Sequence, residues 1–305
     1  LAQALVDRMA EQLPGHDLTI LPEARYDPAG FRGAMADAEG VVVNSNVTVD
    51  EDVMAGAPRL RVISTMSVGL DHIDLDAAKG RAIVVTFTPV LSDAVADVTV
   101  ALLIMLSRCI PAGIRYVAGG GWGDADLGGD LADKELLLVG FGRIGHAVAA
   151  RALAMSMRVH YVDVRDGIPP IAGVERARSL GEGLTRADFV SLHVDLNQRT
   201  RHLMGSSEFA AMKRTAFFVN TSRGGVVDQE ALVRALTEGS IAGAGLDVLE
   251  DEPPKPDDPI LHAPNTIILP HIGSATTETR AAMARCAVDN LLKGLRREEN
   301  PFSVP

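Results

Sequence analysis

The sequence predicts an α/β protein of two domains, each a parallel sheet doubly wound by helices on both faces. Three observations predict it. Short β-branched runs alternate with longer stretches whose apolar residues recur at three and four spacing. The short runs are apolar at consecutive positions, as strands covered on both faces are. The length of 305 residues, 47% apolar and 23% charged, exceeds a single ordinary core of roughly 100 to 200 residues.

The chain opens at Leu1 without a methionine, and Leu1 to Leu13, carrying Asp7, Arg8 and Glu11, reads as a helix and not as a secretory signal. An α/β domain ordinarily begins with a strand, so the expectation is a first strand that was removed, is disordered or is left out of this numbering. Candidate strands follow at Leu18 to Leu21, Gly40 to Val43, Val62 to Ser64 and Ile83 to Val85. A second series runs through Glu135 to Val139, Val159 to Val162, Phe189 to His193, Ala216 to Asn220, Gly243 to Leu246 and Thr266 to Leu269. Helical patterns lie between most of them, as at His146 to Met155, Ser206 to Met212 and Gln229 to Glu238. Two long helices stand apart. One runs from Ser92 to about Ile110, stopped by Pro111 ahead of a glycine cluster around Trp122; the other runs from Thr276 to about Leu295. Read as crossings, they divide the chain into a discontinuous outer domain, residues 1–91 and 277–305, and a central domain, residues 92–276.

Charge narrows the function. There are 29 basic and 40 acidic side chains, a net charge of −11, with no basic run to offset it. Nucleic-acid phosphates and anionic bilayers are repelled by such a surface, so neither is an expected partner. The longest apolar run, Val98 to Leu106, falls far short of the ~20 residues of a membrane span. Cys109 and Cys286 form no C-x-x-C pair, which reads as two reduced core thiols in a cytoplasmic protein with no metal site.

The central domain opens on Gly140-Phe-Gly142-Arg-Ile-Gly145, between an apolar strand and a helix. Alone, G-x-G-x-x-G is a common turn. In this context it is the dinucleotide turn of a Rossmann fold: Gly140 permits the bend, Gly142 lets backbone approach a pyrophosphate, and Gly145 lets helix and strand pack closely. The next strand ends at Asp163, which is 163 − 145 = 18 residues past the last glycine, close to the ~20 expected of a ribose-binding acid. A carboxylate there selects NAD; Arg165, two residues on, keeps NADP open.

Three further segments end candidate strands, where open parallel sheets place ligands. They are Asn220-Thr-Ser-Arg223-Gly-Gly225, Leu246-Asp247-Val-Leu-Glu250-Asp-Glu252-Pro253 and Leu269-Pro270-His271-Ile-Gly273. An Arg, a Glu and a His beside a dinucleotide turn fit hydride transfer to a 2-oxo acid. Arg223 can hold the carboxylate and polarise the carbonyl, His271 can deliver the proton, and Glu252 can orient and charge the imidazole.

With these motifs in place, the chain resembles the D-isomer-specific 2-hydroxyacid dehydrogenases from Val62 to Arg280. The glyoxylate and hydroxypyruvate reductase branch is the most similar, through Ser67-Val-Gly-Leu-Asp-His-Ile-Asp74 and Val90-Leu-Ser-Asp-Ala94. The resemblance implies a Rossmann domain inserted in a flavodoxin-like substrate domain, with Arg223, Glu252 and His271 catalytic. It places cofactor contacts on the Arg143 and Ile144 backbone and on Thr99, Asp163, His193, Thr221, Asp247 and Gly273. It assigns the substrate carboxylate to backbone N–H groups around Val68 and Gly69, and it implies a homodimer with the arm after Cys109 in the contact. Substrate preference would rest on the stretches at residues 21–28 and 44–47 and on Met66.

Three positions depart from the family pattern: Asp97 for Glu, Asp133 for Gly and Asp195 for Pro. Of these, Asp195 puts a carboxylate near the cofactor phosphates. Two other readings share these motifs. One is D-3-phosphoglycerate oxidation, against which the lack of room for an extra regulatory domain weighs. The other is a non-catalytic NADH-sensing corepressor, against which the lack of a basic patch or a long disordered tail weighs.

Overall fold

The computed structural model describes residues 3–21, 28–123 and 127–304. Of the stretch at residues 21–28 singled out for substrate preference, residues 22–27 lie outside the described residues. The chain divides into two compact units, a discontinuous one of Leu1–Leu91 with Ala275–Pro305 and a continuous one of Ser92–Ser274.

In chain order the discontinuous unit begins with α1 (Gln3–Glu11), α2 (Pro28–Met35), β1 (Gly40–Val43), α3 (Glu51–Ala55), β2 (Val62–Thr65), α4 (Leu75–Gly80) and β3 (Val84–Thr86). The continuous unit opens with α5 (Ser92–Ser107), α6 (Ile110–Ala118), β4 (Glu135–Val139), α7 (Arg143–Ala154), β5 (Arg158–Val162) and β6 (Val174–Arg176). It goes on through α8 (Leu180–Arg186), β7 (Phe189–Leu192), α9 (Ser206–Ala211), β8 (Phe217–Asn220), α10 (Gln229–Thr237), β9 (Gly243–Leu246) and β10 (Thr266–Ile268). Then α11 (Thr277–Arg296) and β11 (Ser303–Val304) complete the discontinuous unit.

The continuous unit is built on a seven-stranded, all-parallel sheet of order β10-β9-β8-β7-β4-β5-β6. Its consecutive apolar strands are divided between two cores by the period of two. Leu137, Val139, Val190 and Phe218 pack with Leu184, Phe209 and Leu232 from α8, α9 and α10. Leu136, Leu138, Phe189 and Val219 pack on the other face with Leu102 and Leu103 of α5 and Val148 of α7. Each of these large side chains, removed from water, contributes roughly 1.5–3 kcal/mol. From β4 the chain winds one way to β5 and β6, then reverses through β7 to β10. The reversal falls between β4 and β7, the place where open parallel sheets put a ligand, outside the carboxyl ends of the strands.

The discontinuous unit has the order β1-β2-β3-β11, parallel except for β11, which runs antiparallel to β3. Val43, Ile63 and Val85 face Phe31, Met35 and Met54 on one side. Val62 faces Leu13, Val288 and Leu291 on the other.

Four expectations are corrected. The Leu18 to Leu21 run is not a strand; among the described residues no strand pairs with it, and Leu18, Ile20 and Leu21 stand 40%, 50% and 45% exposed. Pro111 does not stop the long helix. The helix ends at Ser107, Cys109 adopts a left-handed φ of 51°, and α6 starts at Ile110 with Pro111 in its first turn, where a missing N–H costs nothing. The strands β6 and β11, of three and two residues, carry no readable period and exist because β5 and β3 pair with them. The second of these makes the sheet of the discontinuous unit mixed at one edge. No single described helix is long and apolar enough to cross a membrane; α5 and α6 meet that test only as a pair bent by 64°.

Candidate active site

The site in the continuous unit is assembled from loops at the carboxyl ends of six strands. After β4, Gly140 has a φ of +95°, and a Cβ on it would lie 2.6 Å from the His193 carbonyl oxygen, across the reversal point. A Cβ on Gly145 would lie 2.6 Å from the Gly140 carbonyl oxygen. Both glycines are therefore demanded by the protein's own packing. Gly142 is different. Its backbone is extended, and an added Cβ would meet only the Arg165 Nη2 at 3.6 Å, so the fold leaves open the space that backbone contact with a diphosphate needs. Gly142 also starts α7, which no side chain caps, whereas Ser179 and Asp228 cap α8 and α10. The uncapped end keeps its amides for an anion.

Asp163 follows β5. Its Oδ1 accepts the Arg165 amide at 2.9 Å and Arg165 Nε at 3.1 Å; its Oδ2 accepts Arg165 Nη2 at 2.9 Å and the Phe141 amide at 2.8 Å. Burial pushes this carboxyl up, but the Arg165 fork and the two amides outweigh it and hold the group at about 2. After β7, His193 has its Nε2 3.0 Å from Ser191 Oγ, and its Nδ1 is buried without a partner. Burial pushes the imidazole down to about 3, so it is neutral. An orphaned ring nitrogen and an open glycine cradle beside one reversal point fit a dinucleotide, which would bring both an anion and polar partners.

The other three loops carry the reactive side chains. Glu252, on the loop after β9, lies 2.7 Å from His271 Nδ1 through Oε2, while its Oε1 accepts the Leu249 amide at 3.0 Å. Burial pushes Glu252 up; the His271 hydrogen bond and charge, the Leu249 amide and the Arg223 charge together hold it below the ordinary carboxylate range. Arg223, after β8, thus lies within electrostatic reach of that pair. Gly224, next to it, packs so closely that a Cβ would land on the Leu249 carbonyl, which presses the Arg223 and Glu252 loops together.

His271 itself has a φ of +54°, a left-handed conformation rarely adopted by side-chain-bearing residues. The cause is Asp247. Its Oδ1 accepts the Ile272 amide and its Oδ2 the Gly273 amide, both at 2.7 Å, and a Cβ on Gly273 would lie 2.8 Å from Oδ2. The buried carboxylate clasps the two peptides that follow His271 and turns its ring toward Glu252. Burial raises the Asp247 pKa against the pull of those amides.

Residues 100–273 match the family model described as D-isomer specific 2-hydroxyacid dehydrogenase, NAD binding domain. The chain belongs to the D-isomer-specific 2-hydroxyacid dehydrogenases. It is 45% identical to a glyoxylate reductase of Korarchaeum cryptofilum over 276 residues, 88% of this chain and 83% of that protein. It is 44% identical to glyoxylate/hydroxypyruvate reductase B of Escherichia fergusonii over 307 residues, 97% of this chain and 94% of that protein. A crystal structure of a glyoxylate reductase from Paecilomyes thermophila superposes with a TM-score of 0.89 at 33% identity, covering 100% of this chain and 95% of that one.

For this dehydrogenase, the cofactor residues expected from sequence share the carboxyl edge of one sheet, with one refinement. Thr99, in α5, is fully buried; its hydroxyl donates to the Val95 carbonyl and meets Thr221 Oγ1 at 2.9 Å. It therefore stands behind Thr221. Val68 and Gly69 lie in the loop directly after β2 of the other unit and are half-buried. Two residues escaped the sequence. Arg176 of β6 donates to the Asp163 carbonyl at 2.8 Å and the Arg165 carbonyl at 3.2 Å, fixing the loop that bears the acid. No signal marks it, because β6 is too short to be read. His202 Nε2 lies 2.7 Å from Glu250 Oε1, a contact between segments 48 residues apart.

Proposed function

We propose that this chain reduces small 2-oxo acids of the glyoxylate and hydroxypyruvate class to D-2-hydroxy acids with NADH. The observation that carries the reading is the His271–Glu252 pair at 2.7 Å, on neighbouring strand exits of the NAD-binding domain. The identity to glyoxylate reductases supports the substrate class.

When bound, NADH supplies the hydride that adds to the carbonyl carbon. Arg223 binds the substrate carboxylate and draws electron density from the carbonyl through its fork of donors. Glu252 holds Nδ1 of His271, so the proton reaches the carbonyl oxygen from Nε2. Backbone N–H groups at Val68 and Gly69 hold the substrate carboxylate as well. On the cofactor side, the backbone at Gly142, Arg143 and Ile144 would hold the diphosphate and Asp163 the ribose. His193, Thr221, Asp247 and Gly273 would hold the nicotinamide end, and Thr99 braces Thr221. The working molecule is a cytoplasmic enzyme and a homodimer; the dimer is supported by the exposed apolar side chains of Ile114, Val117 and Trp122 on and after α6, 62%, 51% and 86% exposed.

The test is NADH oxidation with glyoxylate, hydroxypyruvate and pyruvate, in wild type and in His271→Gln. Turnover that is lost in the variant while NADH still binds supports the reading. Tight NADH binding with no turnover of any of the three acids overturns it.

A further inference from the structure

His202 and Glu250 form an ion pair beside the reactive loops that the hydride-transfer chemistry leaves without a task. His202 ends the turn at residues 197–202, after β7, where the Arg201 amide donates to the Asn197 carbonyl at 2.9 Å and the Asn197 amide to Thr200 Oγ1 at 2.8 Å. From there the chain runs beside the segment that follows Arg223. The His202 amide donates to the Gly225 carbonyl at 2.9 Å, the Met204 amide to the Val226 carbonyl at 3.1 Å and the Asp228 amide to the Met204 carbonyl at 3.0 Å. Within this clamp His202 takes a left-handed φ of 51°, a conformation that a residue with a side chain keeps only where its surroundings fix it.

The ring reaches the other reactive loop. Its Nε2 lies 2.7 Å from Glu250 Oε1, and because a carboxylate only accepts, Nε2 is the donor. One residue thus grips both loops, the Arg223 loop with its backbone and the Glu252 loop with its side chain. The other contacts that hold the start of the Glu252 loop fall on a single peptide unit. Gly224 packs on the Leu249 carbonyl and the Glu250 nitrogen, and the Glu250 amide donates to Gln229 Oε1 at 3.1 Å. Contacts confined to one peptide leave the exposed residues 250–253 free to turn about it. The bond to His202 lies off that axis, at the far end of the Glu250 side chain, and stops the turn. Two residues on, Glu252 holds His271 Nδ1 at 2.7 Å.

We propose that His202 is a positioning residue for the reduction: through Glu250 it fixes the tilt of the loop that carries Glu252 and so keeps that carboxylate on Nδ1 of His271. The inference rests on the reading of Glu252 and His271 as the proton-delivering pair and adds a part to it. The His202 and Glu250 side chains are 45% and 33% exposed, so solvent screens their attraction and the hold is modest.

Steady-state kinetics of glyoxylate reduction test this. His202→Asn tolerates the left-handed backbone but is too short to reach Glu250. Its kcat is expected to fall about 5- to 10-fold, less than the roughly 100-fold of a full 1 Å misplacement, with the KM for glyoxylate and the Kd for NADH within about 2-fold of wild type. His202→Gln, whose amide nitrogen can stand in for Nε2, should bring kcat back to within about 2-fold of wild type. Glu250→Ala should reproduce the loss, and the double variant should be no slower than either single one. In a Glu252→Gln background His202→Asn should change kcat by less than about 2-fold, because the carboxylate it positions is gone. An equal fold loss in both backgrounds, an unchanged kcat in His202→Asn and Glu250→Ala, or a rise in KM alone overturns the positioning role and leaves the activity standing. Wild type that turns over no 2-oxo acid overturns the activity and the inference with it. Thermal unfolding shows that each variant is folded at the assay temperature.

Discussion

Substituting the three glycines of the β4 turn one at a time separates what the fold requires from what the cofactor requires. At Gly142 the backbone is extended, at φ −85° and ψ −159°, and a methyl would touch only a flexible guanidinium at 3.6 Å. Gly142→Ala should therefore fold with unchanged or slightly higher stability, by about 0.4–1 kcal/mol, because alanine restricts the unfolded chain. The same methyl occupies the approach to the diphosphate, and the dissociation constant for NADH should rise at least about 30-fold, or about 2 kcal/mol. Gly140→Ala behaves oppositely. A φ of +95° and a Cβ 2.6 Å from the His193 carbonyl and 2.9 Å from Val194 Cγ1 should cost about 3 kcal/mol or more of stability. Calorimetric unfolding and NADH fluorescence titration on the two variants read both quantities. A Gly142→Ala protein that binds NADH like wild type, or that loses as much stability as Gly140→Ala, refutes the assignment of the turn.

Three other outcomes follow from the same geometry. Glu252→Gln keeps the shape and the bond from the Leu249 amide but removes the charge behind His271; kcat for glyoxylate reduction should fall roughly 10- to 100-fold with NADH affinity unchanged, read by stopped-flow and equilibrium binding. Asp247→Ala strips both partners from the Ile272 and Gly273 amides, so stability should drop by about 2 kcal/mol and turnover by about 100-fold or more as His271 loses its forced backbone, measured by denaturant titration and steady-state rates. His193 is pushed down to about 3 by burial, and burial also pushes His160 down. Below about pH 6.5 the unfolded chain takes up protons at both positions more readily than the folded one. Their contribution is thus fully present above that pH and is lost as pH falls; for His193, held at about 3, the loss by pH 5 is on the order of 1–2 kcal/mol. The melting temperature should decline between pH 7 and 5, and less steeply in His160→Gln; a flat or rising profile would contradict this.

Much of the molecule was written locally. The apolar runs at Leu136–Val139 and Phe217–Val219 mark strands covered on both faces, and the Gly140–Gly145 spacing marks a tight turn with a helix behind it, because both depend on residues adjacent in the chain. The Arg, Glu and His at successive strand exits were legible for the same reason: chemistry at the carboxyl end of a parallel sheet is placed by strand endings. Only the tertiary structure decided the rest. Whether a short run becomes a strand depends on a partner to complete its hydrogen bonds, so Leu18–Leu21 failed where Val174–Arg176 succeeded beside β5. The left-handed turn of His271 comes from a carboxylate 24 positions earlier, 271 − 247, and the occupation of Asp163 from a side chain folding back and an amide 22 residues away. Period and composition describe how a segment behaves alone; the direction of a catalytic ring and the vacancy of a carboxylate are set by what the fold brings against them.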